Sequence, residues 1–331
     1  MKVLVTGGGG FLGKAIVTLL HERGDEVRCY SRNEHPALQA LGVEHCRGEL
    51  NDAGAVTRAT AGCDIVFHVA AKAGVWGPFE AFHQANVVGT QNVIAACRAQ
   101  GIKRLVYTSS PSVVFDGTDM EGVDESVPYP HHFEAFYPQT KAEAEQLVLK
   151  ANDGELATVA LRPHLIWGPG DNHLVPRILD RGRKGALRRI GRRQCLVDTI
   201  YIDNAAQAHL QAADQLEIGS AVAGKAYFLS QGEPLPIWEV VNHILDAGGI
   251  APVSRTISPQ LAYRIGALME KIYTLLPLRG EPPMTRFVAK ELSTAHWFDL
   301  SAARRDFGYQ PTVSFDEGIA RLRQWLANGQ H

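Results

Sequence analysis

Cysteine is scarce and irregularly placed in this chain of 331 residues. The five cysteines are odd in number, and no two of them stand at the C-x-x-C spacing of zinc sites and redox pairs. This pattern argues against a disulfide framework and against a bound metal, and it favours a reducing compartment. Because the first residues run directly into a predicted strand, we expect no signal peptide and a cytoplasmic location.

An excess of charge and a long unbroken apolar run are also missing. The formal net charge is −2, so the chain has no overall positive field that would attract nucleic acid or an anionic membrane. Residues 259–278 form an apolar helical segment, but Arg264, Glu270 and Lys271 interrupt it and argue against a transmembrane segment. The content of 45% hydrophobic and 21% charged residues is ordinary for a globular protein with an ample core.

Glycine is abundant at the N-terminus, in the stretch MKVLVTGGGGFLG. The apolar run at residues 3–5 predicts a buried parallel strand, and a helical pattern begins at Phe11. The glycines between them fit both GxGxxG and GxxGxxG, through Gly7, Gly8, Gly10 and Gly13. Backbone without Cβ atoms approaches a pyrophosphate closely, and the helix N-terminus offers free N–H groups and a favourable dipole. The stretch therefore predicts a dinucleotide-binding βαβ unit.

Strands and helices alternate through the first half of the chain. Strands are predicted at residues 27–31, 43–47, 65–71, 105–108 and 156–162, and helices include residues 82–100 and 137–150. This alternation indicates an α/β fold with a doubly wound parallel sheet. We expect residues 1–165 to form the cofactor-binding Rossmann domain that carries the catalytic residues. Residues 166–331 are expected to form a smaller, mainly substrate-binding lid that is interleaved with it.

The end of the second predicted strand bears on the choice of cofactor. In NAD sites an acidic residue at this place holds the ribose 2′-hydroxyl, whereas this chain has Ser31 and Arg32. Both side chains are suited to a 2′-phosphate through charge-assisted hydrogen bonds. We predict NADP(H), with Arg32 as the discriminating residue. The alternative is that Arg32 is an ordinary solvated side chain.

Three side chains are candidates for the chemistry. Tyr137 and Lys141 are four residues apart in a predicted helix and therefore share one face. An ammonium beside a phenol favours the phenolate, as general acid–base catalysis requires. Ser109 or Ser110 follows the fifth strand and reaches the same crevice, where a hydroxyl donates to a carbonyl oxygen that gains charge.

Together these motifs resemble the extended short-chain dehydrogenases/reductases over nearly the whole chain. The segments that carry the resemblance are TGGGGFLG, NVVGT, YTSSPSVVF, YPQTK, LRPHLIWGP and AHWFDLSAARRDFGY. The segment RPHLIWGPGDNHLVP resembles the branch of the 3β-hydroxysteroid and sterol-4-carboxylate dehydrogenases rather than the sugar-nucleotide epimerases. Within that branch the chain looks like the bacterial reductases that act on 2-alkyl-3-oxoalkanoates in long-chain olefin synthesis.

The resemblance also implies a role for individual residues. It makes Tyr137 the proton donor and acceptor, gives Lys141 a further contact with the nicotinamide ribose, and selects Ser110 over Ser109 as the catalytic hydroxyl. Glu49 departs from relatives that have Asp at this place, and Pro111 after the serine is unusual. The implied cofactor-binding residues are Gly7, Gly10, Phe11, Leu12, Gly13, Ser31, Arg32, Glu49, Leu50, Ala70, Ala71, Lys72, Asn86, Tyr137, Lys141, Pro163 and His164.

The expected function is NADPH-dependent reduction of a lipophilic 3-oxo acid to the 3-hydroxy acid. One alternative is a 3β-hydroxysteroid or decarboxylating sterol-4-carboxylate dehydrogenase, and another is a non-catalytic NADP-sensing regulator that keeps the fold. The resemblance further implies a homodimer, and association with other enzymes of olefin synthesis is an open expectation.

Two segments of the second half keep two interpretations each. The basic residues in 177–193 either attract an acidic substrate or partner, or form a solvated face with ordinary ion pairs. We do not expect nucleic acid as their ligand, because no aromatic residues are interleaved with them and the overall charge is negative. Leu261, Ile265, Leu268, Met269 and Ile272 either line a lipophilic pocket or simply pack.

Overall fold

The computed structural model describes residues 1–276, 278 and 280–329. The strands within these residues are β1 (Lys2–Thr6), β2 (Glu26–Ser31), β3 (Glu44–Arg47), β4 (Ile65–His68), β5 (Arg104–Thr108), β6 (Met120–Val123), β7 (Ala157–Pro163), β8 (Ile166–Trp167), β9 (Arg189–Ile190), β10 (Leu196–Val197), β11 (Ile200–Tyr201), β12 (Lys225–Leu229), β13 (Leu235–Pro236), β14 (Thr256–Ile257) and β15 (His296–Phe298). The α-helices are α1 (Phe11–Glu22), α2 (Pro36–Gln39), α3 (Ala53–Thr60), α4 (Phe79–Phe82), α5 (Gly89–Ala99), α6 (Phe136–Lys150), α7 (Leu174–Arg183), α8 (Ile202–Asp214), α9 (Ile237–Ala247), α10 (Pro259–Leu275), α11 (Arg286–Glu291), α12 (Ser301–Phe307) and α13 (Phe315–Ala327).

A parallel sheet in the order β3-β2-β1-β4-β5-β7-β12 forms the centre of the molecule. The doubly wound sheet predicted from the sequence is therefore confirmed. The strand order reverses between β1 and β4, where Val3 pairs with Val27 on one side and with Ile65 on the other. In open α/β sheets the ligand crevice lies at the carboxyl ends of the strands at such a reversal.

The central strands are apolar on both faces because helices cover both sides of the sheet. Leu4 packs with Val56 of α3, Val93 of α5 and Val148 of α6 in one layer of the core. The opposite layer contains Ile16 of α1 and, among others, Ala205, Ala206 and Ala208 of α8. Continuous apolar runs such as residues 3–5 are typical of strands that are buried on both sides.

Three predicted elements differ from the structure in extent. The long helix predicted at residues 82–100 begins earlier, as α4, and passes through a π-helical segment, His83–Val88, before it continues as α5. The strand predicted at residues 65–71 ends at His68, because the chain leaves the sheet beside the glycine turn. The helix predicted at residues 259–278 ends at Leu275, and residue 277 lies outside the described residues.

The second half of the chain builds smaller units around the sheet. One mixed sheet has the order β13-β10-β15-β6, in which β6 comes from the first half, and two short pairs join β8 with β11 and β9 with β14. The strand β12 belongs to this half but extends the central sheet beside β7. Among the described residues, no helix combines the length and apolar character that crossing a bilayer would need. The proposed division at residue 165 stays a prediction.

Candidate active site

The glycine turn between β1 and α1 leaves no room for side chains. Gly7 has φ +70°, and a Cβ added to it would lie 2.8 Å from Cα of Ala70. A Cβ on Gly13 would lie 2.1 Å from the carbonyl oxygen of Gly7. The helix α1 starts at Phe11 without a side-chain cap, so its first N–H groups face the turn. This cradle fits the pyrophosphate of a nicotinamide dinucleotide.

A buried hydrogen-bond chain fixes the strand ends beneath this turn. His68 Nδ1 lies 2.8 Å from Thr6 Oγ1, and His68 Nε2 lies 3.0 Å from Thr90 Oγ1. The Ala70 backbone N–H donates to Thr6 Oγ1 at 3.2 Å, which holds Ala70 against Gly7. Burial lowers the pKa of His68 to about 3, so this histidine is a neutral core residue.

Two arginines meet at the end of the crevice where an adenosine ribose would lie. Arg32 and Arg47 line a polar cleft of about 480 Å³ together with Asn33, Gly48 and Glu49. Arg47 Nε donates to the carbonyl oxygen of Arg32 at 3.1 Å, so the guanidinium groups come from adjacent strand ends. Sequence reasoning missed Arg47, although its place at the end of β3, next to the end of β2, signals this proximity.

Other predicted adenosine-site residues are engaged with the protein itself. The Ser31 hydroxyl donates to the Asn33 carbonyl oxygen at 2.8 Å and lies 2.9 Å from His45 Nε2. The carbonyl oxygen of Glu49 accepts from the Tyr30 hydroxyl at 2.8 Å, while the Glu49 side chain is exposed at the cleft. The Leu50 carbonyl oxygen accepts from the amide of Asn92. These bonds set the shape of the cleft that Arg32 and Arg47 line.

The loop after β4 is held by Asn86 from the π-helical segment. Its Oδ1 accepts from the Lys72 backbone N–H at 2.7 Å, and its Nδ2 donates to Thr140 Oγ1 at 3.0 Å. Thr140 precedes Lys141 in α6. The predicted cofactor residue Asn86 therefore connects the segment of Ala70, Ala71 and Lys72 to the helix that carries the candidate pair Tyr137 and Lys141.

Ser110 and Tyr137 are brought together at the start of two helical turns. Ser110 is the N-cap of a 3₁₀ turn, Pro111–Val114, and its Oγ lies 2.9 Å from Ser112 Oγ. Tyr137 is the second residue of α6, and burial raises the pKa of its phenol. A hydrogen bond with the Ser110 side chain acts in the opposite direction and lowers this pKa. The sequence predicts that Lys141 lowers the pKa of Tyr137. In the structure Ser110 has this effect.

Lys141 lies one helical turn further along α6 and is almost fully buried. Its Nζ donates to the Thr108 carbonyl oxygen at 2.6 Å and sits 4.1 Å from the centre of the Tyr107 ring. Burial lowers the pKa of Lys141 to about 7, and the charge of Glu145 acts against that shift. The ammonium is thus held at the carboxyl end of β5 on the same helix as Tyr137.

A buried ion pair behind Lys141 was missed by sequence reasoning. Arg162 of β7 donates to both carboxylate oxygens of Glu145, at 2.9 and 2.6 Å, and the Tyr129 hydroxyl donates at 2.6 Å. The Ser109 side chain interacts with Glu145 and helps to lower the pKa of this carboxyl. Ser109 therefore faces the ion pair, whereas Ser110 faces Tyr137. The spacing of four residues from Lys141 to Glu145 was the available signal.

An aromatic wall closes the crevice on the side of β7. We use this name for the ring contacts that join Phe115, His164, Phe287, His296 and Phe298. Burial lowers the pKa of His164 well below its usual range, and its Nε2 has no hydrogen-bond partner among the described residues. Pro163 ends β7, and Leu165 has φ 45°, a strained conformation for a leucine. The predicted nicotinamide contacts Pro163 and His164 thus lie at a strand end with an unsatisfied polar atom.

Comparison with known proteins gives a consistent picture. Residues 4–260 match the model of the 3-beta hydroxysteroid dehydrogenase/isomerase family. A 2-alkyl-3-oxoalkanoate reductase of Stenotrophomonas maltophilia is 58% identical over 98% of this chain and 98% of its own length. The mouse enzyme sterol-4-alpha-carboxylate 3-dehydrogenase, decarboxylating, is 34% identical over 98% of this chain and 90% of its own.

The fold has solved counterparts as well. The structure of MoeE5 in complex with UDP-glucose and NAD aligns over 100% of both chains, with a TM-score of 0.77 and 25% sequence identity. The cradle, the hydroxyl–phenol–ammonium group and the doubly wound sheet described above are all parts of an oxidoreductase that binds a nicotinamide dinucleotide. The chain belongs to the 3-beta hydroxysteroid dehydrogenase/isomerase family of extended short-chain dehydrogenases/reductases.

Proposed function

We propose that this protein is an NADPH-dependent reductase that converts a 2-alkyl-3-oxo acid into the 2-alkyl-3-hydroxy acid. The observation that carries the proposal is the convergence of Ser110, Tyr137 and Lys141 at the carboxyl ends of β5 and the start of α6. Identity of 58% with a 2-alkyl-3-oxoalkanoate reductase along almost the entire chain supports the substrate class. Long-chain olefin synthesis is the pathway that we assign on the same basis.

The three side chains divide the chemistry between them. When bound, the nicotinamide supplies a hydride to the carbonyl carbon. Ser110 donates a hydrogen bond to the carbonyl oxygen, which gains negative charge as the hydride arrives. Tyr137 delivers the proton to that oxygen, and Lys141, one helical turn further along α6, would hold the nicotinamide ribose. Arg162 and Glu145 keep the helix that carries Lys141 against β7.

The preference for NADPH over NADH rests on the two arginines of the polar cleft. A ribose 2′-phosphate carries negative charge that Arg32 and Arg47 are placed to pair with. The one carboxylate among the residues that line this cleft is that of Glu49. It comes from the β3 side, whereas NAD sites place their acidic residue at the end of β2.

A second candidate reaction is oxidation and decarboxylation of a sterol 4-carboxylate. The observation that favours it is the 34% identity with the mouse sterol-4-alpha-carboxylate 3-dehydrogenase over 98% of this chain. The two reactions run the same hydride and proton transfers in opposite directions, and the sterol reaction also releases CO₂ from the 3-oxo acid that forms. A regulator without activity is disfavoured because the full hydroxyl–phenol–ammonium group is present.

We further assign a cytoplasmic location and a homodimer to the protein. The relevant surface is formed by α5 and α6, because extended relatives pair through the matching helices. Size-exclusion chromatography with light scattering tests this assignment, and a particle of one chain mass would contradict it. Co-purification with other enzymes of olefin synthesis tests the pathway.

The experiment that tests the function is a kinetic panel in both directions. We expect NADPH oxidation with 2-alkyl-3-oxo acids, and NADP⁺ reduction with 3-hydroxy acids and not with sterol 4-carboxylates. The Tyr137→Phe variant is expected to lose about 10²- to 10⁴-fold in kcat, since the proton donor is removed. Its NADPH affinity, measured by fluorescence titration, is expected to stay within about twofold, which shows that the fold is intact. Near-normal turnover of this variant, or a sterol preference of the wild type, contradicts the proposal.

A further inference from the structure

A buried ion pair links the helix of Tyr137 and Lys141 to the central sheet. Glu145 of α6 and Arg162 of β7 have 0% and 3% of their side chains exposed. Arg162 reaches the carboxylate with two hydrogen bonds, from Nε at 2.9 Å and from Nη2 at 2.6 Å. The Tyr129 hydroxyl donates a third hydrogen bond at 2.6 Å. A planar guanidinium that binds both oxygens fixes the carboxylate in position and in orientation.

The ammonium of Lys141 lies on the same face of α6 as this carboxylate. Lys141 and Glu145 are four residues apart in the helix, so their side chains are neighbours. The Lys141 Nζ donates to the Thr108 carbonyl oxygen at 2.6 Å and sits 4.1 Å from the centre of the Tyr107 ring. Burial lowers the pKa of Lys141, and the charge of Glu145 acts against that shift. The carboxylate therefore helps to keep a buried lysine charged.

The ion pair also lies beside the strand end that carries the proposed catalytic hydroxyl. The strands β5 and β7 pair in parallel as far as Thr108 and Leu161. The Ser109 backbone N–H continues this pairing and donates to the Leu161 carbonyl oxygen at 2.6 Å. Arg162 follows directly on one strand, and Ser110 follows Ser109 on the other. The ion pair thus ties α6 to the two strand ends that place Ser110.

Glu145 is the one carboxylate, within the described part of the chain, whose charge acts on the pKa of Lys141. The other titratable groups packed around Lys141 and the ion pair are His68 on β4, Tyr107 on β5, Glu125 and Tyr129 before α6, Tyr137 on α6 and His209 on α8. Burial raises the pKa of each tyrosine and lowers the pKa of the two histidines to about 3 and about 4, so these groups are neutral at pH 7. Glu125 accepts from the Phe228 backbone N–H at 2.8 Å, and the charge that lowers its pKa is that of Arg162.

We propose that Glu145 is the positioning residue of Lys141: held by Arg162, its carboxylate keeps the lysine ammonium charged and in place for the nicotinamide ribose. Arg162 compensates the charge of Glu145, without which the carboxylate would not stay ionised in the core. Because Glu145 is fully buried, it acts through Lys141 and not by contact with the substrate. The inference rests on the proposed function, which assigns Lys141 to the ribose of NADP(H).

The test follows NADPH affinity by fluorescence titration from about pH 6 to pH 10. This measurement does not depend on the choice of substrate. An ammonium forms stronger hydrogen bonds to the ribose than a neutral amine, so we expect affinity to fall about fivefold as Lys141 loses its proton. In Lys141→Met this fall is expected to be absent. The same pH range is covered for kcat/KM in NADP⁺-dependent oxidation of a 2-alkyl-3-hydroxy acid.

Glu145→Gln removes the charge and keeps the shape of the side chain. Arg162 is then a lone cation near Lys141, so the ammonium loses its proton at a lower pH. We expect the fall in NADPH affinity and the alkaline limb of kcat/KM to move about one pH unit downward. Glu145→Asp keeps the charge and is expected to recover most of this shift.

Glu143→Gln is the matched control, because it removes a carboxylate from the same helix. Residues two apart in a helix do not share a face, and the Glu143 side chain accepts from Gln139 and not from Arg162. Its pH profiles are expected to match those of the wild type.

A double variant covers the case in which Glu145→Gln does not fold. A buried cation without its partner destabilises a protein, whereas an apolar pair of similar volume often does not. Glu145→Leu combined with Arg162→Met removes both charges, and thermal unfolding checks that the fold is kept. Since Glu145 is the charge that acts on Lys141, we expect the fall in affinity to move down by roughly half a pH unit.

The outcomes separate this inference from the proposed function. If every folded variant without Glu145 keeps the wild-type pH profile, or loses affinity by the same factor at every pH, the ion pair only supports the fold and the inference is wrong. A fall in affinity that persists in Lys141→Met overturns it as well. If the profiles of NADPH affinity shift as expected but no 2-alkyl-3-hydroxy acid is oxidised, the proposed substrate is wrong and the role of Glu145 stands. If the wild type binds no NADPH at any pH, both fail.

Discussion

The cofactor crevice and the α11 side of the active site are held together by different means. Around the glycine turn, backbone meets backbone, and a single added Cβ on Gly7 or Gly13 would overlap main-chain atoms. Around α11, charged side chains make the ties, as in Lys290 with Glu134 and Arg286 with Glu270. Close contacts between backbone atoms leave no space for a larger residue. Partly exposed ion pairs contribute little to stability and are easily replaced.

The surface of the second half of the chain also carries ion pairs between solvent-accessible side chains. Arg177 pairs with Glu281, Lys184 with Asp180, and Arg193 with Asp119 and Glu121. For these residues the interpretation as a solvated face with ordinary ion pairs is supported. On α10, Leu261 and Leu268 are 48% and 55% exposed, so these two do not pack in the core, and the lining of a lipophilic pocket stays a prediction.

We expect the largest effect from a substitution in the glycine turn. Gly13→Ala places a Cβ about 2.1 Å from the Gly7 carbonyl oxygen, so the turn must shift. Because a displacement of about 1 Å at a binding site can cost 10²-fold, we expect NADPH affinity to fall about 100-fold. Fluorescence titration with NADPH measures this change, and thermal unfolding checks that the variant is folded.

The matched control for Gly13 is Gly154, which lies on the surface. A Cβ on Gly154 would have no heavy atom within 4 Å, so Gly154→Ala is expected to leave NADPH affinity and stability unchanged. Normal affinity of Gly13→Ala would show that the turn yields to a methyl group. The contrast between the two regions would then be lost.

The next effect concerns the charged end of the same crevice. Arg32→Ala and Arg47→Ala each remove a guanidinium group from the polar cleft. Hydrogen bonds to charged groups contribute about 1.5 to 3 kcal/mol, so each variant is expected to bind NADPH roughly 10- to 100-fold more weakly. NADH affinity is expected to stay within twofold, and the exposed Arg255→Ala is the control. Equal losses for both cofactors would argue against a 2′-phosphate site.

The two regions also differ in how much of them the sequence predicts. Local patterns suffice for the glycine turn and for Tyr137 and Lys141, because spacing along one strand or helix determines their geometry. Arg47 and Glu145 were missed because their importance comes from residues on other elements: Arg32, which follows β2, and Arg162 of β7. Such contacts depend on strand order and register, which no single segment of sequence contains.

The position of α11 is harder still to predict. It depends on Lys290 meeting Glu134 and on Phe287 meeting Phe115, and both partners are more than 150 residues away in the sequence. The length of β4 was overestimated for a related reason. The apolar pattern continues to residue 71, but Ala70 leaves the sheet to pack against Gly7.

We expect a moderate loss of stability when the pH is lowered. This loss shows whether the two regions unfold together. His209 of α8 lies 2.9 Å from Thr108 Oγ1 and donates from Nδ1 to the Ala205 carbonyl oxygen, and burial lowers its pKa to about 4. The unfolded state then binds more protons between the unfolded pKa near 6.5 and the folded value, so stability falls as the pH falls through that window.

The expected size follows from the same linkage. Titration of His209 is expected to lower the free energy of unfolding by about 2 kcal/mol between pH 7 and pH 5. In urea denaturation, the free energy of unfolding of His209→Gln should therefore fall by about 2 kcal/mol less than that of the wild type over this interval. The exposed His132→Gln is the control and should follow the wild type. An unchanged slope in His209→Gln would mean that His209 titrates alike in both states.

The smallest effect is expected where α11 is tied to the start of α6. Lys290 and Glu134 lie 2.6 Å apart with side chains 30% and 15% exposed, so solvent screens their attraction. A double-mutant cycle with Lys290→Met and Glu134→Gln should give a coupling of about 0.2 to 1 kcal/mol in the free energy of unfolding. The coupling should shrink in 1 M salt, since the Debye length falls to about 3 Å. A coupling that is several times larger and insensitive to salt would show that α11 is fixed as firmly as the glycine turn, and the contrast between the two regions would have to be abandoned.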